Sequence, residues 1–396
     1  MHLLEAQALI TSSKISKPYI LEKYYPLPFD KYIVFAPYSK PAKNFSYFHD
    51  VLDILIPILK NAGITIVQIG GQNEPPFPDC YHLQGKTSLN QAYSLIKNSL
   101  LYFGADTFSS HFSSAANIPS VVLISNNHSN NVRGYWNRDK QIILEPNRIK
   151  RKPSFSLDEG VNKQIDEIKP EIIASSVCKL LGLTLDYPYE TLYIGESYRN
   201  KILEATLHGV TNISNLGTDT LVCRMDYEFN ETILQQQMQH CPVVIVTDRP
   251  VNLEILKAYK PRIKQIFYII TETNDPKFAM SVTRLGIPIH MFSYLSEEKL
   301  NPYKLDYIDV APIFHKTVKT KDQIKEISGV PVDQLYYKSS KHILSSGKIY
   351  PSRAAHLKDL PNPTINQIAP IIDDDNFWLE AEYFMILKKK PALTSR

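Results

Sequence analysis

No run of apolar residues in this chain exceeds about the length of a strand, and a membrane-spanning helix needs roughly 20. The N-terminus lacks a basic stretch followed by an apolar one, so no secretory signal is evident. Cysteine is scarce: Cys80, Cys178, Cys223 and Cys241 stand far apart, without the CxxC or Cys/His spacing of a zinc site. They read as buried or free thiols in a reducing compartment. An excess of one charge is also missing, the formal net charge being +4. The mild clusters Arg148, Lys150, Arg151, Lys152 and Lys388, Lys389, Lys390 read as solvated loop and tail charge, because a nucleic-acid module carries a denser basic face. No G-x-G-x-x-G fingerprint, P-loop, G-x-S-x-G elbow or H-E-x-x-H occurs, which weighs against dehydrogenase, ATPase, hydrolase and metalloprotease readings. The expectation is a cytoplasmic protein with no transmembrane segment, peripheral contact with a membrane being left open.

With 43% apolar and 21% charged residues in 396, the chain is globular and too long for one ordinary core. Its 24 Tyr residues suit half-buried strand positions, or a polar cleft, since Tyr packs and still offers a hydroxyl. Residues 1–30 carry little periodicity and read as a lead-in segment. Strands are then expected at 32–36, 64–69, 100–103, 120–124 and 141–144. Helices alternate with them at 48–61 (through Pro57), 88–99 and 109–116. A polar linker at 153–169 precedes a helix at 170–181, capped by Gly182. A second alternation has strands at 191–194, 220–224, 243–247, 265–270 and 287–292, with helices at 231–239, 252–257 and 276–285. Such alternation predicts βαβ units and parallel sheets. The expected organisation is a lead-in over 1–30, a Rossmann-like domain over 31–183, a second over 184–315, and a less regular C-terminal extension over 316–396. Two such domains facing across a cleft suit a reaction between two substrates, with closure excluding water.

The most telling stretch is LQGKTSLNQAYSLIKNSLLYFGADTFSSHFSSAANIP, Leu83 to Pro119. An apolar strand runs into an expected turn at Gly104 and Ala105. Asp106, Thr107 and His111 follow, then a run of small residues. A strand, a tight turn and a helix place unpaired N–H groups and short polar side chains at one mouth of a sheet, where nucleotide phosphates bind.

Residues 31–183 resemble the nucleotide-sugar-binding domain of heptosyltransferase-like GT-B glycosyltransferases, the family 9 type. The features stand in family order: FAPYSKPAKNF after the first strand, IVQIGGQNE, LQGKTSLNQAYSLIKNS, and GADTFSSHFSSAANIPSVVLIS. Two departures stand out. The Gly that usually follows the Asp–Ser/Thr pair is Phe108. The donor-like domain also comes first, where that family has it second, so the domain order reads as permuted or as a fusion.

The resemblance implies that Asp106 and Thr107 lie at the sugar–diphosphate end of a donor, with His111 close by. An Asp N-cap beside a packed His would account for the same residues. Ser39, Lys40 and Lys43 follow the first strand, where a Lys could neutralise a leaving diphosphate without a metal or cofactor. Gly71, Gln72 and Glu74 could read a base or ribose, because a strand-end acid accepts from both ribose hydroxyls. Lys86 and Thr87 form a helix entry, with capping and ligand contact equally open. The base for the acceptor hydroxyl is expected from the second domain, where LYIGES puts Glu196 after a strand and a Gly. Asp226 and Asp248 are its rivals. IIDDDN at 371–376 resembles the metal-binding Asp-x-Asp of GT-A enzymes but has no room for such a domain, and reads as an exposed acidic turn. The expected activity is transfer of a sugar from a nucleotide-diphosphate sugar to a glycan such as lipopolysaccharide. Transfer to a hydroxymethylated DNA base, or nucleotide-sugar binding without catalysis, are the alternatives.

Overall fold

The computed structural model describes residues 1–213, 220–274, 276–308, 310–316 and 318–391. The chain divides into two compact units, Met1–Pro188 and Tyr189–Arg396, and both are α/β with a parallel sheet.

In the first unit the strands are β1 (Tyr32–Ala36), β2 (Thr65–Gln68), β3 (Tyr81–His82), β4 (Tyr102–Ala105), β5 (Ser120–Leu123) and β6 (Gln141–Leu144). They form one sheet in the order β3-β2-β1-β4-β5-β6, every pair parallel. All residues of β1, β4 and β5 are buried, as strands covered on both faces must be. The helices are α1 (Leu3–Thr11), α2 (Phe48–Asn61), α3 (Leu89–Lys97), α4 (Phe108–Ala115), α5 (Ser129–Val132) and α6 (Pro170–Leu181). One face is closed by α3 and α4, whose Ala92, Leu95, Ile96 and Phe112 pack on Val34, Val67 and Val122. On the other, Phe35 stacks on Phe103 at 4.5 Å and meets Phe48 of α2 edge-on at 5.0 Å, and α2 lies beside α6.

The expected turn at Gly104 and Ala105 is instead the end of β4. A Cβ on Gly104 would lie 2.2 Å from the Ala36 carbonyl oxygen, and the residue has φ +147°. Glycine stands here because β1 and β4 approach closely, not because the chain reverses. The lead-in segment is part of the unit as well: Tyr25, Leu27 and Phe29 pack against the sheet core.

The second unit is wound differently. Its elements in chain order begin with β7 (Tyr189–Ile194), β8 (Ile202–Ala205), β9 (Leu221–Arg224), α7 (Glu231–His240), β10 (Val243–Thr247), α8 (Leu253–Ala258) and β11 (Ile263–Ile269). Then come α9 (Pro276–Arg284), β12 (Ile289–Ser293), α10 (Glu297–Asp306), β13 (Ile313–His315), β14 (Leu335–Ser339), β15 (Lys341–Ser345) and β16 (Lys348–Tyr350). The last are α11 (Arg353–Leu357), β17 (Ala369–Pro370), α12 (Asp375–Trp378) and β18 (Phe384–Lys389). Strands β8 to β13 are parallel and add in simple chain order. Right-handed crossovers that always step the same way leave their helices on one face. Accordingly Leu234, Leu256, Phe278 and Leu300, one from each of α7 to α10, share a single core with Cys223, Ile245, Tyr268 and Met291. The alternate residues Arg224, Val246, Phe267 and Phe292 point to the opposite face.

The described residues of 316–391 are integral to this unit. Strand β15 pairs in parallel with β8, β16 extends the sheet, and β14, β17 and β18 join β7 in a four-stranded antiparallel sheet. The strand expected at 191–194 is therefore not the first of the parallel series. Its partner is β18, nearly two hundred residues away, a pairing no local periodicity reveals. In the acidic turn, Asp374 accepts the Phe377 N–H at 3.1 Å and Asp373 accepts the Trp378 indole N–H at 2.8 Å.

Gly104→Ala should cost about 1–3 kcal/mol, read as a lower urea midpoint with the slope unchanged. His342 of β15 is 2% exposed, and burial lowers it from its ordinary value to about 4. The unfolded chain takes up that proton first, so stability is full above pH ~6.5 and falls as pH drops toward about 4, by up to about 3 kcal/mol. Urea melts across that window should show the decline, and His342→Leu should flatten it.

Candidate functional site

The strand order of the first unit reverses between β1 and β4, and ligands of open α/β sheets bind in the crevice outside such a point. A cavity of about 610 Å³ lies there. Six of the residues singled out from the sequence line it together: Ser39, Lys40 and Lys43 from the loop after β1, and Asp106, Thr107 and His111 from the end of β4 and the first turns of α4.

Asp106 organises the wall. It is 4% exposed, so its carboxylate needs a partner, and Lys43 Nζ supplies one at 2.6 Å. The same ammonium donates to the Asp106 carbonyl at 3.3 Å, and Ser39 Oγ donates to that carbonyl at 3.4 Å. The loop after β1 is thus pinned to the end of β4. The His111 ring lies 4.0 Å from the other Asp106 oxygen. Burial lowers His111 below its ordinary value, with Asp106 opposing, so the ring is neutral near pH 7. Thr107 is extended and caps α4, its Oγ1 accepting the Ser109 N–H at 3.1 Å. Lys40 is exposed and has no ion-pair partner among the described residues.

Phe108, standing where the family pattern has Gly, takes the first helical position of α4 without strain. Its ring is 45% exposed, lines the cavity and meets Phe112 edge-on at 5.4 Å. The small residues after it have a packing reason: Ser109, Ser110, Ser113 and Ser114 are all buried, letting α4 sit close on the sheet.

The remaining donor-side candidates line a different place. Gly71, Gln72 and Glu74 follow β2. Glu74 Oε2 is buried without a hydrogen-bond partner, and a Cβ on Gly70 would lie 1.8 Å from it. Burial raises the Glu74 carboxyl above its ordinary value and pushes the neighbouring Tyr38 phenol up to about 12. Gln72 packs its backbone on Gly85. Lys86 Nζ donates to the His82 carbonyl at 3.0 Å. Thr87 precedes Ser88, the residue that caps α3.

In the second unit each candidate carboxylate already faces a cation. Glu196 is exposed and pairs with Lys319 at 2.8 Å. Asp226 is gripped by Arg224 at 2.8 and 2.6 Å, and Asp248 by Arg249 at 2.9 Å. The glycine before Glu196 is explained by packing, since a Cβ on Gly195 would meet the Glu382 carbonyl oxygen at 2.2 Å. Among the described residues no group of three or more His, Cys, Asp or Glu side chains could hold a metal ion, and no helix is long and apolar enough to cross a membrane.

Sequence reasoning missed the far wall of the cavity, formed by His2, Leu3, Leu4, Val132 and Trp136. His2 Nδ1 accepts the Leu4 N–H at 3.2 Å, so Nε2 carries the proton and donates to the Arg133 carbonyl at 2.8 Å. No local signal marks a contact across more than a hundred residues. Trp136, one of only two tryptophans, is the one position composition could have flagged.

Several solved structures are similar over part of the chain. An E. coli ADP-heptose lipopolysaccharide heptosyltransferase II is 18% identical, over 45% of this chain and 50% of that one, with a TM-score of 0.31. An E. coli heptosyltransferase solved with ADP is 19% identical over 39% and 46%, with a TM-score of 0.30. An iron-containing dodecameric glycosyltransferase from enterotoxigenic E. coli is 16% identical over 41% and 47%, with a TM-score of 0.32. The chain thus spans about half the length of each. No curated protein sequence matches it. The sequence profile of glycosyltransferase family 9 (heptosyltransferase) matches residues 11–159. The resemblance read from the sequence is therefore matched over most of its expected span, within the first unit: this segment is similar to glycosyltransferase family 9, the heptosyltransferase family.

Proposed function

We propose that this chain transfers a sugar from a nucleotide-diphosphate sugar to a hydroxyl of a glycan, with the donor held in the first unit. The observation that carries the reading is the convergence of Ser39, Lys40, Lys43, Asp106, Thr107 and His111 on one cavity at the point where the strand order reverses. A family 9 segment covers these same residues.

In this reading the diphosphate lies against the N-terminus of α4, whose first-turn N–H groups and partial positive charge favour an anion. Lys40 is the mobile cation for the leaving group. Lys43, held by Asp106, is the fixed one. Charge that develops on the departing diphosphate meets donors already in place, which is where such catalysis gains most. The rest of the Asp106 carboxylate and the neutral His111 ring accept hydrogen bonds from sugar hydroxyls. The nucleoside extends toward the end of β2, where the unpartnered Glu74 oxygen can accept from a ribose hydroxyl. Glu196 is the preferred base for the acceptor, because an exposed ion pair is worth little and is readily given up. Asp226 is committed to Arg224 by two bonds, and Asp248 is paired with its neighbour. Four unpaired thiols suit a reducing, cytoplasmic setting.

Thermal-shift titration with ADP, UDP, GDP and their sugar conjugates should raise the melting midpoint for one nucleotide family, by about 2.7 kcal/mol of stability at a hundredfold excess over Kd. Asp106→Ala leaves the fold standing but frees Lys43, and should weaken that donor about 10–100-fold. No response to any nucleotide would overturn the reading. With a responding donor, Glu196→Ala should abolish hydrolysis-corrected transfer while leaving donor Kd unchanged; a binding-only protein would show no transfer at all. Transfer should survive EDTA, and loss that a divalent ion restores would overturn the assignment of the leaving-group charge to Lys40 and Lys43.

A further inference from the structure

The face of the eight-stranded sheet that α7 to α10 leave open carries a second cavity, of about 230 Å³, wholly within the second unit. Three of its wall residues are ionic and buried: the side chains of Glu204, Arg224 and Lys341 are only 6–8% exposed. Arg224 holds both Glu204 oxygens at 2.8 Å and grips Asp226 on its other edge. Lys341 reaches Glu204 at 3.0 Å and Glu380 at 2.7 Å. Lys316, at the rim, pairs with Glu382 and lies 5.8 Å above the Phe292 ring and 5.4 Å above that of Tyr383. The rest of the wall is aromatic and aliphatic: Phe267, Phe292, Tyr294 and Tyr383, with Ile202, Val222 and Val246. Phe267 and Phe292 stand 6.3 Å apart at 68°, and Phe292 meets Tyr294 at 5.5 Å and 85°.

Stability alone does not account for this cluster. Burying ions costs several kcal/mol each, and apolar residues of the same volume usually serve the fold as well or better. Ionic groups that are buried, mutually fixed and aimed at a cavity are the arrangement of a recognition site. The charge balance then narrows the ligand. Three cations (Arg224, Lys316, Lys341) face four carboxylates (Glu204, Asp226, Glu380, Glu382), so no positive charge is left to attract a phosphate or an acid. The volume is below the ~300–1,000 Å³ of clefts for drug-sized ligands, which leaves room for one ring. Fixed charged donors and acceptors hydrogen-bond strongly to neutral hydroxyls, and the negative faces of aromatic rings favour weakly positive C–H groups.

We infer that this cavity is a second ligand site that takes one neutral sugar ring, its hydroxyls read by Arg224, Lys341 and Glu204 and its C–H face laid on Phe292 and Tyr294. As a docking place for the acceptor glycan the site rests on the transfer proposed above; as a sugar site it does not. Saturation-transfer NMR on the full chain tests it with glucose, galactose, mannose and N-acetylglucosamine at millimolar concentration, and with ADP as the probe of the first unit. At least one sugar should receive saturation on its ring protons. That transfer should fall about tenfold or more in Phe292→Ala and in Tyr294→Ala, while ADP still saturates as in the parent. Tyr294 is 45% exposed, so its variant keeps the test open if Phe292→Ala fails to fold. No saturation of any sugar, saturation unchanged in both variants, or displacement of the sugar by inorganic phosphate would overturn the inference. Sugar binding without ADP binding leaves this site standing and, where UDP and GDP also fail to bind, sinks the donor reading; ADP binding without sugar binding overturns this inference and leaves the donor reading standing.

Discussion

The ion pair between Lys43 and Asp106 is the contact on which the first unit's site depends. Asp106 sits at the end of a fully buried strand, and a carboxylate there must be paired or lose its charge. Its partner comes from the loop after β1, sixty-three positions earlier. One contact therefore fixes two loops against each other and sets the distance between the cations after β1 and the helix N-terminus after β4. The backbone makes this geometry available, because β1 and β4 are neighbours and Gly104 lets them close to a separation that a side chain would forbid. Glycine, acid, cap and imidazole fall in the single run GADTFSSH because one strand end and one helix start must supply them all.

The two units solve the problem of covering a parallel sheet in different ways, and the difference has chemical consequences. In the first, the strand order turns back on itself, helices lie on both faces, and the useful crevice opens at the strand ends. In the second, strands β8 to β13 are laid down in one direction, and four helices share one face. The other face needs different cover. It carries the side chain of Lys341, from the in-sheet strand β15, and meets Tyr383 from the chain before β18. A glutamate and an arginine on adjacent strands can be buried there only because Lys341, Glu380 and Asp226 complete their pairing. The ionic cluster and the missing helices are two results of one winding rule.

This also explains what was legible in the sequence. Elements made by local periodicity were readable: α2 and α6, and β1, β6 and β10, fall at the expected residues, and Asp106, Thr107 and His111 line one cavity. Gly104 was readable as special but not for the right reason, since a close strand approach and a turn both call for glycine. Strand β8, only four residues long, and the strands after residue 316 were not readable, because their partners lie far along the chain and their cover comes from outside the local pattern. The wall of the first cavity contributed by His2, Leu3 and Leu4 was invisible for the same reason. Glu196 drew notice through the Gly before it, yet that Gly is required by the Glu382 backbone, so the motif by itself says nothing about a base.

Phe108 shows how a departure from a family pattern can be built in rather than merely tolerated. A glycine at that position would leave the mouth of α4 bare. Here the aromatic ring occupies it, braced edge-on by Phe112 and facing a cavity whose opposite side is closed by α1 through Leu3 and Leu4. His2 anchors that helix by capping it with one ring nitrogen and holding the Arg133 carbonyl with the other. Polar anchors at Asp106 and His2 thus position apolar walls at Phe108 and Leu3. A site with paired charges and apolar sides strengthens each electrostatic contact made inside it, which suits the diphosphate leaving group proposed for it.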